Sequence, residues 1–298
     1  MKKQQSFSSY LYLIPAYLMI GLIVVFPIVY TFYISLTNMN IYHWFNFEII
    51  GFQNYQKALF VFDSGFINAL LMTILWTIVN MVLQLVIAFY IAKLLNHKLL
   101  KGKTIYKTLL MIPWAMPGYV SILLWKTGMF NSEFGLLNQW LNAIGLQSIG
   151  WLNSSGIAFV SLTVVNLWLA LPFMIMIMDG ALQSIDQSYY EVADMESANN
   201  FQKNIYITIP LIKPVIGPAV MITIFTTFKQ FDIVYLMTLQ PSSRTGANIH
   251  TMITYAYENA FITNNYGYSS AVSIIIFVLL ITTTILFQRH MRGRKHES

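Results

Sequence analysis

Five of the eleven carboxylates in this 298-residue chain, Asp179, Asp186, Glu191, Asp194 and Glu196, fall in or just before one short stretch, YYEVADMESANNFQKNIYITIPLIKP, residues 189–214. The five histidines show no metal-ligand or triad spacing, and there is no cysteine, so neither a metal centre nor a catalytic constellation is read. The carboxylates instead suit a charged surface that another protein could grip. Two other groupings suit hydrogen-bonding chemistry. Asn166, Ala170 and Phe173 sit at i, i+4 and i+7, so an amide, a small residue and an aromatic ring share one helical face. Thr223, Thr226, Thr227 and Gln230 repeat an i, i+3, i+4, i+7 pattern. Such groups can bind the hydroxyls of a neutral polyol and offer an apolar face to a sugar ring. They equally suit contacts between packed helices, and Thr73, Thr77, Asn80 and Gln84 form a similar stripe. Lys229 and Asp232, three apart, read as a pair that lowers the cost of holding either near a membrane. An anion-binding Lys229 is the alternative.

The elements that must position these residues follow from composition. A chain that is 57% hydrophobic and 9% charged, with mean hydropathy +0.60, is a polytopic membrane protein of the all-α class. A crossing helix needs about 20 apolar residues, and six windows qualify: Tyr10 to Leu36, Phe66 to Leu95, Ile105 to Lys126, Ile157 to Met178, Ile207 to Leu239 and Ser269 to Phe287. The first is too long for a signal-peptide core and lacks a small-residue cleavage site, so it is read as retained. Six crossings put both termini on one side. Lys2, Lys3, Lys93, Lys98, Lys101, Lys103, Lys107, Lys203, Lys213, Arg289, Arg292, Arg294 and Lys295 all fall at ends consistent with one topology. Lys57, Lys126 and Arg244 fall opposite, and Lys229 lies within a span. By the positive-inside rule both termini and the carboxylate-rich segment are cytoplasmic. The +6 net charge reflects this asymmetry and contact with anionic lipid, not nucleic-acid binding.

An ionised side chain at a helix centre costs about 2.5 to 3.5 kcal/mol on insertion scales, which keeps the charged segment out of hydrocarbon. Asp186 can cap a first short helix by accepting from backbone N–H groups near Ser188 or Tyr189. Ser197, Asn199 and Asn200 are weak helix formers at a break, and Pro210 and Pro214 shape the start of the fifth span. On these residues alone the segment is either a docking element or an amphipathic interfacial loop. Gly102-Lys103-Thr104 resembles the end of a phosphate-binding loop, but His97 stands where its first glycine belongs, so no ATPase is read in the chain. Asn153-Ser154-Ser155 matches a glycosylation acceptor no better than chance.

Glu191-Val192-Ala193, three residues, Ser197, nine residues, then Ile207-Thr208-Ile209-Pro210 resembles the EAA motif of binding-protein-dependent ABC importer permeases. The resemblance extends through GFQNYQKAL, LLMIPWAMPGYV, FKQFDIVYLMT and NNYGYSSAVSII, and is to the carbohydrate-uptake subgroup with the maltose, lactose and glycerol-phosphate permeases. It implies the type I ABC importer permease fold, one transmembrane domain over residues 1–298, and a coupling segment at about 186–210 that inserts into a groove of an ATPase subunit. Tyr190, Glu191, Val192, Ala193, Glu196, Ser197 and Ala198 are then the coupling residues. Ser197 replaces the family's turn glycine, and a serine tolerates positive φ less well, which implies a different turn or some strain. Val192 and Ile209 replace Ala and Leu, and Asp186 stands where relatives often carry Pro. Counting from Glu191, the family's sugar-contacting positions fall on Asn166, Leu169, Ala170, Phe173, Thr223, Thr226, Thr227 and Gln230.

The resemblance further implies import of a di- or oligosaccharide across a bacterial cell membrane. Its partners are a second, different permease subunit, two ATPase subunits that hold the ATP, and an extracytoplasmic sugar-binding protein. No cofactor or metal is implied. Glycerol phosphate or an acidic sugar is the alternative substrate class. An ion-coupled secondary transporter would carry buried carboxylates or unwound helices in its spans and an internal inverted repeat; no convincing repeat is read, and the only intramembrane pair is Lys229 with Asp232.

Overall fold

The computed structural model describes residues 12–61, 65–239, 246–247 and 249–293. Lys2, Lys3, Tyr10, Arg244, Arg294 and Lys295, used above for spans or orientation, lie outside them. Every regular element among the described residues is helical, with one isolated bridge between Thr37 and Ile49. We number the main helices α1 (Tyr12–Ser35), α2 (Gln53–Phe60), α3 (Phe66–Leu95), α4 (Lys103–Ala115), α5 (Gly118–Met129), α6 (Leu136–Ala143), α7 (Ser155–Gln183), α8 (Ser188–Met195), α9 (Ile209–Phe228), α10 (Met252–Phe261) and α11 (Tyr266–Gly293). Five stretches are long and apolar enough to cross a bilayer: α1, α3, α7, Asn200–Leu239 and Tyr266–Phe287. None of the most apolar 18 residues of α1 is buried by protein, and side chains such as Leu18, Leu22 and Phe26 stand open. An apolar surface of that extent belongs against hydrocarbon.

The third crossing departs from the straight span read over Ile105 to Lys126. It consists of α4 and α5, bent by 92° at a break between Ala115 and Gly118. Met116 takes extended dihedrals (φ −85°, ψ 144°), as a residue before proline is driven to do, and Pro117 cannot continue the ladder. Counted as one broken crossing, this bent pair brings the crossings among the described residues to six. Lys126 lies on the second arm, where its Nζ donates to the Leu236 carbonyl at 2.5 Å. The fifth crossing is irregular too. A π-helical turn at Asn204–Thr208 leads into α9, which stops at Phe228 before a separate turn at Asp232–Val234 and another π-helical stretch at Tyr235–Leu239.

The described chain forms two compact units, residues 12–68 with 252–281 and residues 69–251 with 282–293. In the first, Asn54 Nδ2 donates to the carbonyls of Ser35 (2.9 Å) and Thr37 (2.8 Å), fixing the end of α1 on α2. Gly267 lets α11 come in close: a Cβ there would lie 2.2 Å from the Thr37 oxygen.

The second unit carries every candidate residue named above. Two helices in lipid gain no hydrophobic drive by meeting, so close backbone approach and interhelical hydrogen bonds must hold them. Ala88 and Ala92, one turn apart on α3, are fully buried and let α7 pack at Met174, Ile175, Met178 and Ala181. Ile212 of α9 joins the same core. A second core collects Ile122 of α5 and Phe130 just after it, Leu162 and Val165 of α7, and Ile233, Val234 and Met237 beyond α9. The broken pieces of the third and fifth crossings thus pack on one another.

Candidate functional site

The carboxylate-rich segment folds as two helices around a tight turn. Asp186 Oδ1 accepts from the Ser188 N–H at 2.9 Å, and that backbone bond holds its pKa below the ordinary carboxylate value. Gln187, next to α8, contributes no side-chain cap, so Asp186 caps from one residue further out. At the other end Glu196 leaves the helix and Ser197 takes φ +56°. The Ser197 N–H then bonds the Asp194 carbonyl (3.0 Å) and the Ala198 N–H bonds the Ala193 carbonyl (2.9 Å). That is a Schellman ending with serine in the glycine position. The left-handed turn is kept, at a cost for an L residue of roughly 1 to 2 kcal/mol. Asn199 immediately opens the next helix, Asn200–Lys203, by a capping box in which Asn199 and Gln202 each accept from the other's N–H at 2.9 and 2.8 Å.

Side chains tie this helix–turn–helix to the spans. The Tyr190 hydroxyl lies 2.9 Å from Thr208 Oγ1, and Thr208, buried, also donates to the Lys203 carbonyl at 3.2 Å. Lys203 pairs with Asp194 across the turn. Lys93, near the end of α3, donates to Asn204 Oδ1 at 2.7 Å. Of the seven coupling candidates, Ala193 is buried, Tyr190 and Ala198 are half-buried, and Glu191, Val192, Glu196 and Ser197 are exposed. Met195 stands out with them at 85% exposure. One face is therefore anchored, and the other presents acidic and apolar side chains outward.

Asp179 does not belong to that surface. It lies in the last turns of α7, 4% exposed, with Lys107 Nζ at 2.6 Å, Asn96 Nδ2 at 2.9 Å and Gln183 Nε2 at 2.9 Å. The carboxylate thus ties the turn after α3 to α4 and α7. A carboxylate within an apolar helix demands a partner, and that signal was available in the sequence once Asp179 was assigned to the span.

The two polar stripes fare differently. Asn166 is 4% exposed and donates to Asn80 Oδ1 at 2.7 Å, which makes it a link between α7 and α3. Thr223 and Thr226 donate to carbonyls of their own helix, Ala219 (2.9 Å) and Thr223 (3.1 Å). Thr227 is buried, Thr226 is exposed, and Leu169, Ala170, Phe173 and Gln230 are half-buried. No hydrogen bond joins the two stripes among the described residues. Lys229 and Asp232 form no ion pair: α9 ends at Phe228 and Asp232 starts a separate turn, so the i, i+3 helical geometry that would bring them together is lost. Both side chains are exposed.

The chain is thus a multi-pass helical membrane protein with broken third and fifth crossings and a helix–turn–helix clamped to its spans. The chain belongs to the family described as "Binding-protein-dependent transport system inner membrane component", whose sequence profile matches residues 84–296. It is 30% identical over 284 residues to the galactooligosaccharides transport system permease protein of Bacillus subtilis, covering 92% of this chain and 68% of that protein. It is 29% identical over 295 residues to the trehalose/maltose transport system permease protein of Thermococcus litoralis, covering 99% and 97%. A chain of the solved bacterial alginate ABC transporter, in complex with alginate pentasaccharide-bound periplasmic protein, has the same fold. That match has TM-score 0.82 and 20% identity and covers 97% of this chain and 96% of that one.

Proposed function

We propose that this chain is one permease subunit of a bacterial ABC importer for a di- or oligosaccharide. Two ATPase subunits drive it, an extracytoplasmic binding protein supplies it, and both its termini are cytoplasmic. The observation that carries this is the helix–turn–helix of 188–203, anchored on one face by the Tyr190–Thr208 hydroxyl contact and the Lys93–Asn204 bond and open on the other. Family membership and the saccharide named for each of two relatives support the substrate class. ATP is held by the ATPase subunits. Closure of those subunits moves α8 as a rigid lever, and α9, which follows through the π-helical turn at Asn204–Thr208, transmits the motion to the spans. The second permease is a different chain, so this one supplies half of the pathway. Leu169, Ala170, Phe173, Thr223, Thr226, Thr227 and Gln230 form its share of the sugar path, while Asn166 links α7 to α3.

The unpaired geometry of Lys229 and Asp232 favours a second reading, an anionic substrate such as an acidic sugar or glycerol phosphate, met by the exposed Lys229 ammonium. Uptake of labelled maltooligosaccharide into vesicles containing all subunits tests both. ATP-dependent uptake unaffected by Lys229→Gln supports the neutral sugar, and competition by a glucuronide that Lys229→Gln abolishes supports the anion. Uptake driven by a proton or sodium gradient without ATP rejects the importer.

A further inference from the structure

Beside the helix–turn–helix lies a basic cavity of ≈ 600 Å³, reached by Lys93, His97, Lys98 and Lys203 and by the amides of Asn200 and Asn204. None of its lining residues is acidic, and the one carboxylate paired with Lys203, Asp194, is outside the lining. A second cavity of ≈ 430 Å³ runs between α3 and α9, walled by Leu85, Phe89, Ile205, Ile212 and Ile216. Asn204 lines both, at the point where Lys93 bonds it. Around this junction Phe201 and Tyr206 are 71% and 76% exposed, the aromatic placement expected where a helix meets the headgroup layer. A cationic pocket that shares its Asn204 wall with an apolar groove between crossing helices is complementary to one molecule, a phosphate-bearing lipid.

We propose that these two cavities form a single site for an anionic phospholipid, its phosphate held by Lys93 and Lys98 and one acyl chain lying along Phe89, Ile212 and Ile216. The lipid would brace the anchored face of the helix–turn–helix, since Tyr190 and Thr208 also line the basic cavity. That consequence rests on the coupling role proposed above. Lipid retention does not, and it can be read without transport.

The test is native mass spectrometry of the chain purified with its co-purifying subunits after exchange into nanodiscs of equal phosphatidylglycerol and phosphatidylcholine. The expected result is selective retention of phosphatidylglycerol. Lys93→Gln/Lys98→Gln should lower the retention ratio about 30-fold, at about fivefold per lysine removed near an anionic surface. Equal retention of both lipids, an unchanged ratio in a variant that still elutes as a single species, or displacement by millimolar inorganic phosphate would overturn the proposal. A photo-crosslinker at Val86, exposed on the groove wall, should label lipid in the otherwise unsubstituted chain. Labelling of another protein chain instead would show that a subunit fills the groove and would equally overturn it.

Discussion

Asp179→Asn removes one negative charge from a nearly closed site and leaves Lys107 facing an amide. The carboxylate side chain is 5% exposed and the lysine 26%, with Nζ and Oδ2 2.6 Å apart. Breaking a buried pair by removing one partner costs about 3 to 5 kcal/mol, and a lysine one-quarter exposed can partly rehydrate, which places this change near 3 kcal/mol, the lower end. The Asn96 and Gln183 amides lose a charged acceptor as well, each bond to a charged group being worth roughly 1.5 kcal/mol or more, so little of the cost is recovered by rotation. Replacing both partners, Lys107→Met/Asp179→Leu, leaves no stranded charge and should cost less than the single change. Unfolding of the purified chain by SDS titration, followed by circular dichroism, gives the cost of Asp179→Asn, and Lys107→Met and Asp179→Leu measured singly beside the double variant close a double-mutant cycle. If Asp179→Asn cost under about 1 kcal/mol, or if the double variant cost the sum of the singles, the closed ion pair would not be what ties the turn after α3 to α4 and α7.

Ser197→Gly should stabilise the helix–turn–helix by about 0.5 to 1 kcal/mol, the left-handed strain relieved less the entropy glycine adds to the unfolded chain, whereas Ser197→Val should destabilise it. The same SDS titration reports both changes. Asn166→Ala and Asn80→Ala should each cost about 0.6 to 1.7 kcal/mol and be strongly non-additive, because they break one interhelical bond. Phe173→Ala should instead raise the KM for sugar uptake with unfolding little changed. If Asn166→Ala shifted KM and left stability untouched, Asn166 would belong to the sugar path and not to helix packing.

Hydropathy windows were sufficient for the crossings because backbone in lipid has few options, and the EAA-like spacing located the turn to the residue. Averaging over a window hid the break at Met116–Pro117, although Pro117 carried the signal. Lys229 and Asp232 were legible as neighbours only if α9 continued, and no residue between them says that it stops. Asp179 looked like part of a charged island because it is near in sequence, yet its partners Lys107 and Asn96 are 72 and 83 positions away. The polar stripes were ambiguous by nature: hydroxyls and amides suit sugar or a neighbouring helix, and only the Asn80–Asn166 bond divides them. Ser197 was legible as a departure from glycine, while its φ of +56° was not.

The chain contains no cysteine, so Val192→Cys places a single thiol on the outward face of α8, at a side chain 60% exposed. Oxidative cross-linking of that thiol to cysteines placed along the groove of the ATPase subunit, with and without ATP, tests the coupling role most directly. The proposed coupling role predicts a cross-link to the ATPase whose yield changes when ATP is added. A Val192→Cys chain that supports uptake, carries ATPase subunits and yet cross-links to none of them in either state would contradict it.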